Sequence, residues 1–279
     1  MKRTTIGNLE SLLHDIDGRG YGAYRRIAGR WAGEGFSLFI DHVQGDPFAQ
    51  PSRLRIRIDT RRHGIPQELW NTGVRRMAAA DKLLRIFARA CGEETARIRT
   101  GSGRSGQVLV DAGGAEVLAR SGCEIGPEGL ELRFRVGLPA RGRTVLGRQA
   151  AELLCGALAR AARSVSWENI DHEEFRRFVE LVEDHDHIQQ VLADRGLVAF
   201  VRDGSILPRS SGVSSRPLTG AVPFESPPEL RVTLTTLHHG EVKGMGIPRG
   251  ITLITGGGFH GKTTLLEAIQ SGVYPHVPG

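Results

Sequence analysis

Gly256-Gly257-Gly258-Phe259-His260-Gly261-Lys262-Thr263 sets two glycines four residues apart and follows them with Lys and Thr, the spacing of a phosphate-cradling P-loop. Its flanks read as the context such a loop needs. The apolar run Ile251-Thr252-Leu253-Ile254 predicts a buried strand leading in, and Thr264-Leu265-Leu266-Glu267-Ala268-Ile269 carries apolar residues at helical spacing leading out. Glycines at 256, 258 and 261 give the backbone dihedrals closed to other residues, so that successive N–H groups can converge on one anion at a helix start. Gly256, Gly257, Gly258, Phe259, His260, Gly261, Lys262, Thr263 and Thr264 are therefore the candidate site for ATP. Lys262 is assigned to the β- and γ-phosphates, and the Thr263 hydroxyl to Mg²⁺. The bland reading is a glycine-rich turn that binds nothing.

Composition sets the frame around that loop. At 279 residues the chain has room for two domains and a sizeable core. No apolar run approaches membrane-spanning length, and Met1-Lys2-Arg3-Thr4-Thr5 is followed by no signal-like segment, so the expectation is a cytoplasmic protein with no membrane partner. Cys91, Cys123 and Cys155 lie far apart without CxxC spacing, as expected of reduced cysteines. The net charge of +6 is unevenly spread. Between Gln50 and Val110 thirteen basic residues stand against five acidic ones, whereas Val165 to Arg195 holds nine acidic residues and three arginines. The first block is where a polyanion would bind; a solvated arginine-rich face is the competing reading.

Along the chain, Leu9, Leu12, Leu13 and Ile16 predict an opening helix, and a short helix is expected over Tyr24 to Arg30. Phe36 to Asp41 reads as a strand. In the loop Asp41 to Ala49, metal ligation by Asp41, His42 and Asp46 is weighed against capping, and capping is favoured. Leu54, Ile56 and Ile58 alternate with Arg53, Arg55 and Arg57, and Leu130, Leu132, Phe134 and Val136 with Glu131, Arg133 and Arg135. Both patterns predict strands with one buried and one charged face. Helices are predicted from Thr72 to Cys91, Leu146 to Arg163 and His172 to Arg195, the last capped by Asp171 and stopped by Gly196. On the first of these, Arg75, Arg76, Lys82, Arg85 and Arg89 are mostly left for the surface. His185 and His187 read as polar surface of the last helix.

Gly101-Ser102-Gly103-Arg104-Ser105-Gly106 is formally a GxGxxG sequence, but no helix opens after it. It is expected to be a hairpin turn between strands Ala96–Arg99 and Gln107–Asp111. Its tip, with Arg104, could touch phosphate, and so could Arg141 and Arg143 in the turn after Val136. Leu197 to Val201, wholly apolar, is expected to be a central strand, and Leu230, Val232 and Leu234 another strand. The fold class is α+β. A Pro- and Ser-rich linker is placed at 217–229, between an accessory domain over 1–216 and a P-loop domain beginning at 230–279.

Several long motifs carry a resemblance. The P-loop with Gly272-Val273-Tyr274-Pro275-His276-Val277-Pro278-Gly279, together with Asp17 to Tyr21, Asp41 to Ala49, Gly101 to Gly106, Val136 to Arg143, Ala199 to Gly212 and Gly244 to Pro248, resembles the predicted ATPases of the ABC class. That family includes a kinetoplastid mitochondrial RNA-editing protein. The resemblance implies an N-terminal α+β domain, an ABC-type ATPase core binding ATP and Mg²⁺, homodimerisation and RNA binding. Thr263 stands where the family more often has Ser. The segment supplying the Mg²⁺-holding carboxylate and the ABC signature has no counterpart after Thr263, so the chain reads as a fragment that alone does not hydrolyse ATP efficiently. The rival class is a nucleic-acid-binding module using Arg53 to Arg104, with a vestigial nucleotide site. A small-molecule kinase is a third reading, for which no acceptor site is found.

Overall fold

The computed structural model describes residues 4–98 and 101–278. The fold is α+β and divides into two compact units, Met1–Ala112 with Ala119–Phe175, and Gly113–Leu118 with Arg176–Gly279.

The first unit is built on an antiparallel sheet of β1 (Gly29–Ala32), β2 (Ser37–His42), β3 (Ser52–Ile58), β4 (Val108–Leu109), β5 (Cys123–Gly126) and β6 (Gly129–Val136). The order is β1-β2-β3-β6, and β4 and β5 share the outer edge of β6 end to end. The alternation read from the sequence fixes the register. Leu54, Ile56 and Ile58 face Phe134, Leu132 and Leu130, all buried, while the arginines between them point the other way. The buried face is covered by helices: α1 (Ile6–Asp15), the short α2 (Thr60–His63), α3 (Gly73–Thr95), α4 (Gly147–Ala151) and α5 (Leu158–Arg163). Thr72 caps α3 by accepting from Arg75 N, and Phe87 packs on Phe134 with ring centroids 5.2 Å apart. A π-helical turn, Glu152–Ala157, joins α4 to α5, so the predicted helix from Leu146 is one run with a wider middle turn.

Two local expectations fail in this unit. Tyr21–Ile27 is a 3-10 helix followed by β1, where an α-helix over Tyr24 to Arg30 is expected. The reason is spacing: Tyr21, Tyr24 and Ile27 are all buried and recur every third residue, the period at which side chains eclipse in a 3-10 turn. The hairpin around Gly101 to Gly106 is also absent. Ala96 to Ile98 turn on from the end of α3, Arg99 lies outside the described residues, and β4 pairs with β6 instead. β7 (Ala140–Arg141) and β8 (Thr144–Val145) form a two-stranded ribbon of their own.

The second unit carries α6 (His172–Asp194), which begins in the first. Asp171 accepts from Glu174 N at 2.9 Å, and Gly196 ends the helix region at φ 66°. Three antiparallel strands, β9 (Leu197–Arg202), β10 (Arg231–Thr235) and β11 (Glu241–Pro248), pair in the order β10-β11-β9. β9 is thus an edge strand and not the central strand its apolar run suggests. Val201 alone of its residues is buried, and Val198 is exposed. Val201, Met245 and Ile247 form a small core, with Leu265 and Ile269 of α7 (Lys262–Ser271) packed against it. The expected strand Ile251–Ile254 is not formed: Ile251 and Leu253 are fully or largely exposed, and no described strand hydrogen-bonds to them. A parallel strand has no stability without neighbours on its edges and cover on its faces.

Candidate functional site

The phosphate loop leaves β11 and returns as α7. Its backbone takes three positive φ values, Gly256 at 145°, Phe259 at 61° and Gly261 at 76°. Two fall on glycines assigned to that role, but Gly258 takes an ordinary dihedral and Phe259 the left-handed one, so the bend sits one residue later than the glycine spacing suggests. A bulky residue there is strained, and its ring is fully exposed. Gly261 opens α7 in the left-handed conformation, and no side chain caps the first turn. The N–H groups of that turn are therefore turned outward at the positive end of a ten-residue helix. Lys262 bends back so that its ammonium donates to the Gly257 carbonyl, which holds the cation over the mouth of the loop. Residues 251–261 are all exposed, as is Thr263. Glycine amides, a helix start, an ammonium and a hydroxyl form a donor set that fits a triphosphate with its magnesium ion.

The other named candidates, Arg104, Arg141 and Arg143, come together in the first unit through interlocked loops. Ser102 N donates to Ala140 O at 2.8 Å, Gly106 N to Gly137 O at 2.8 Å and Gly137 N to Gln107 O at 2.8 Å. The Ser102 and Ser105 hydroxyls accept from Gly142 N and Ala140 N. The loops touch so closely that a Cβ on Gly137 would lie 1.8 Å from the Arg104 carbonyl. The Asp41 to Ala49 loop joins them. Gln44 is buried and accepts from Leu138 N, and Asp46 both accepts from Phe48 N at 3.0 Å and pairs with Arg143 at 3.1 Å. From Asp17 to Tyr21, Tyr21 N donates to Arg143 O and Gly147 N to Asp17 Oδ1. Four sequence motifs far apart in the chain thus build one surface. In this loop Asp41 pairs with Arg55 at 2.7 Å, and Asp46 accepts from Phe48 N as a capping carboxylate does.

The arginine-rich block does not form one cationic face. Arg53, Arg55 and Arg57 lie on the open side of the sheet, whereas α3 lies on the other. There Arg85 pairs with the fully buried Asp81 at 2.5 Å and Lys82 with Glu174 at 2.5 Å, so these two are not surface charges left to solvent. All three cysteines are free thiols, and burial pushes those of Cys91 and Cys155 up to about 12.

Together the fold and the loop define a P-loop nucleotide-binding protein with an added α+β unit. A sequence model for the N-terminal region of ATPases of the ABC class matches residues 6–168, and the P-loop domain model of the same class matches 171–279. The chain belongs to the ABC-class ATPases. An uncharacterized protein of Methanocaldococcus jannaschii is 38% identical over 101 residues, which takes in 33% of this chain and 22% of that protein. The match spans about a fifth of the length of that curated relative. Among the described residues no helix is long and apolar enough to cross a membrane.

Proposed function

We propose that this chain binds ATP with Mg²⁺ at Gly256 to Thr264 and couples the state of that site to RNA or another polyanion held by Arg104, Arg141 and Arg143, working as a homodimer in the intact protein. The observation that carries the nucleotide half is the uncapped start of α7 behind the left-handed Gly261, with the Lys262 ammonium bent over the loop. On binding, Lys262 exchanges the Gly257 carbonyl for the β- and γ-phosphate oxygens, and the first-turn N–H groups gain the acceptor that no side chain supplies. The Thr263 hydroxyl would hold a magnesium ion, which when bound would supply charge neutralisation for the triphosphate. The polyanion half is supported by the convergence of the three arginines on loops locked by backbone hydrogen bonds, which presents the guanidinium groups without a large ordering cost.

The test is equilibrium binding of a fluorescent ATP analogue to the intact chain. Lys262→Ala weakens affinity by about tenfold or more, the loss of one charge-assisted contact. Unchanged affinity removes the assignment. RNA affinity measured with and without ATP then reads the coupling, and indifference to ATP supports the rival nucleic-acid module.

A further inference from the structure

The chain that leaves α7 is held by a strap from a distant part of the sequence. Gly113–Leu118 belongs to the second unit, although the chain up to Ala112 and again from Ala119 belongs to the first. The strap runs antiparallel to residues 275–277. Val117 N donates to Pro275 O and Val277 N to Ala115 O, each at 2.8 Å, and Glu116 stands opposite His276. Val117 is fully buried, so the strap is anchored by packing as well as by hydrogen bonds. Just before it β4 ends at Leu109, and just after it β5 begins at Cys123. The strap is thus the middle of the connection between two strands that share one edge of β6.

α7 itself is lightly held. It opens at the phosphate loop with Lys262, and none of its ten residues is buried. Leu265 and Ile269 rest on the small core of Val201, Met245 and Ile247. A helix with so little apolar cover has few contacts to resist rocking, so directional bonds decide where it lies. Those bonds gather at its far end. Gly272 O accepts from His185 Nε2 at 3.0 Å and from Gln189 Nε2 at 3.3 Å, both on α6, and the pairing with the strap follows at residues 275–277. A side chain bonded to one carbonyl can swivel, whereas two backbone bonds on either side of a bridge fix direction as well as position.

We infer that the strap 113–118 reads the occupancy of the phosphate loop and passes it to β4 and β5. The inference rests on the nucleotide half of the function proposed above and names the segment through which that site is coupled. A helix fixed at its far end alone can rock, and each excursion strains the pairing at 275–277. A triphosphate seated on the first-turn N–H groups fixes the near end, so the chain leaves α7 at a set position and the strap opens less often. Linkage makes the effect reciprocal: a ligand that favours the closed strap by some factor binds more weakly by the same factor where the strap cannot close. Val117 and Val277 are positioning residues that act through their main-chain N–H groups. About 15 Å of helix separates them from the loop, so their influence is exerted through α7 and not by touching the nucleotide.

The experiment is amide hydrogen exchange of the intact chain with and without a non-hydrolysable ATP analogue and Mg²⁺, beside the affinity for that analogue. Exchange over 113–118 and 273–278 should slow about fivefold or more on binding, the lower end of an allosteric coupling, and exchange in β4 and β5 should slow with it. Val277→Pro removes one of the two N–H donors of the pairing; it should weaken the analogue by that same factor and leave β4 and β5 unresponsive. A second variant does not depend on how well the chain accepts proline. Glu116→Cys with His276→Cys places two thiols at facing positions between the hydrogen bonds, a spacing that a disulfide can span. Oxidation of that pair should remove the ligand-dependent slowing at 113–118, because a closed strap cannot close further, and reduction should bring it back. If the analogue binds but exchange at 113–118 does not change, or if Val277→Pro binds it as the parent does, the strap is no relay and the nucleotide site stands. If the response is lost in His185→Ala, Gln189→Ala and kept in Val277→Pro, α6 carries it and the strap is wrong. If the parent binds no analogue, both readings fall.

Discussion

His63 shows how much a single residue contributes that its letter does not reveal. It ends α2, is fully buried, and its Nδ1 accepts from Ile65 N at 3.1 Å. The proton therefore sits on Nε2, which has no hydrogen-bond partner. Burial lowers the pKa of this ring below its ordinary value of 6.5. The unfolded chain thus binds a proton more readily than the fold does, and stability rises with pH across that window. The contribution is complete above the unfolded pKa and is lost as pH falls towards the folded one, by at most about 1.4 kcal/mol per pH unit. His63→Asn keeps an acceptor for Ile65 N and does not titrate. Its melting temperature should fall less than the parent's on acidification from neutral to mildly acidic pH; parallel pH profiles would show that His63 does not supply the acid sensitivity. At the same scale Phe259, and not Gly258, takes the left-handed turn of the phosphate loop, because backbone direction there is set by where α7 begins. The glycine spacing marks the motif without fixing which residue bends.

Among the elements, β3 and β6 organise the first unit, and both were legible. Strict alternation needs no tertiary information, since a period of two puts every second side chain on one face. β3 is flanked on both edges, and Ile56 is fully buried between Leu38 and Leu132. Ile56→Ala should cost about 2–5 kcal/mol, read by denaturant unfolding; a loss below about 1 kcal/mol would mean the sheet is not the core. Elements fixed by partners elsewhere were not legible. β9 has the apolar composition of a central strand but lies at an edge, because β11 has partners on both sides. Ile251 to Ile254 has strand composition, but among the described residues no strand pairs with it. The glycine-rich loop 101–106 looks like a hairpin from its flanks, yet its hydrogen bonds go to residues 137–142, a choice made by contacts more than thirty residues away in sequence.

Across the whole molecule, the two units hold together by different means. The first has a layered core of sheet and helices. The second has few buried apolar residues and relies more on polar ties, chief among them Asp184. Its carboxylate, on α6 and almost fully buried, accepts from Leu237 N at 2.8 Å and His238 N at 2.9 Å, and pairs with His239 Nδ1 at 2.6 Å. Asp184→Ala leaves those donors unmet and should destabilise the second unit by about 2–3 kcal/mol, seen as faster amide exchange in β10 and β11 with the first unit unchanged. Equal protection in both proteins would show the tie to be dispensable.

The sequence alone determined the local matters: the P-loop and its helix, the two alternating strands, the Asp171 cap and Gly196 stop of α6, the α+β class and the ABC-type ATPase resemblance. Each depends on spacing within a turn or a strand, and those spacings act on neighbouring atoms. Only the tertiary structure decided which arginines are neutralised, that residues 17–21, 41–49, 101–106 and 137–143 meet on one surface, and that Arg53 faces Arg135. Strand register and loop closure bring together groups that no local pattern relates, and charge acts through space between side chains that the chain order keeps apart.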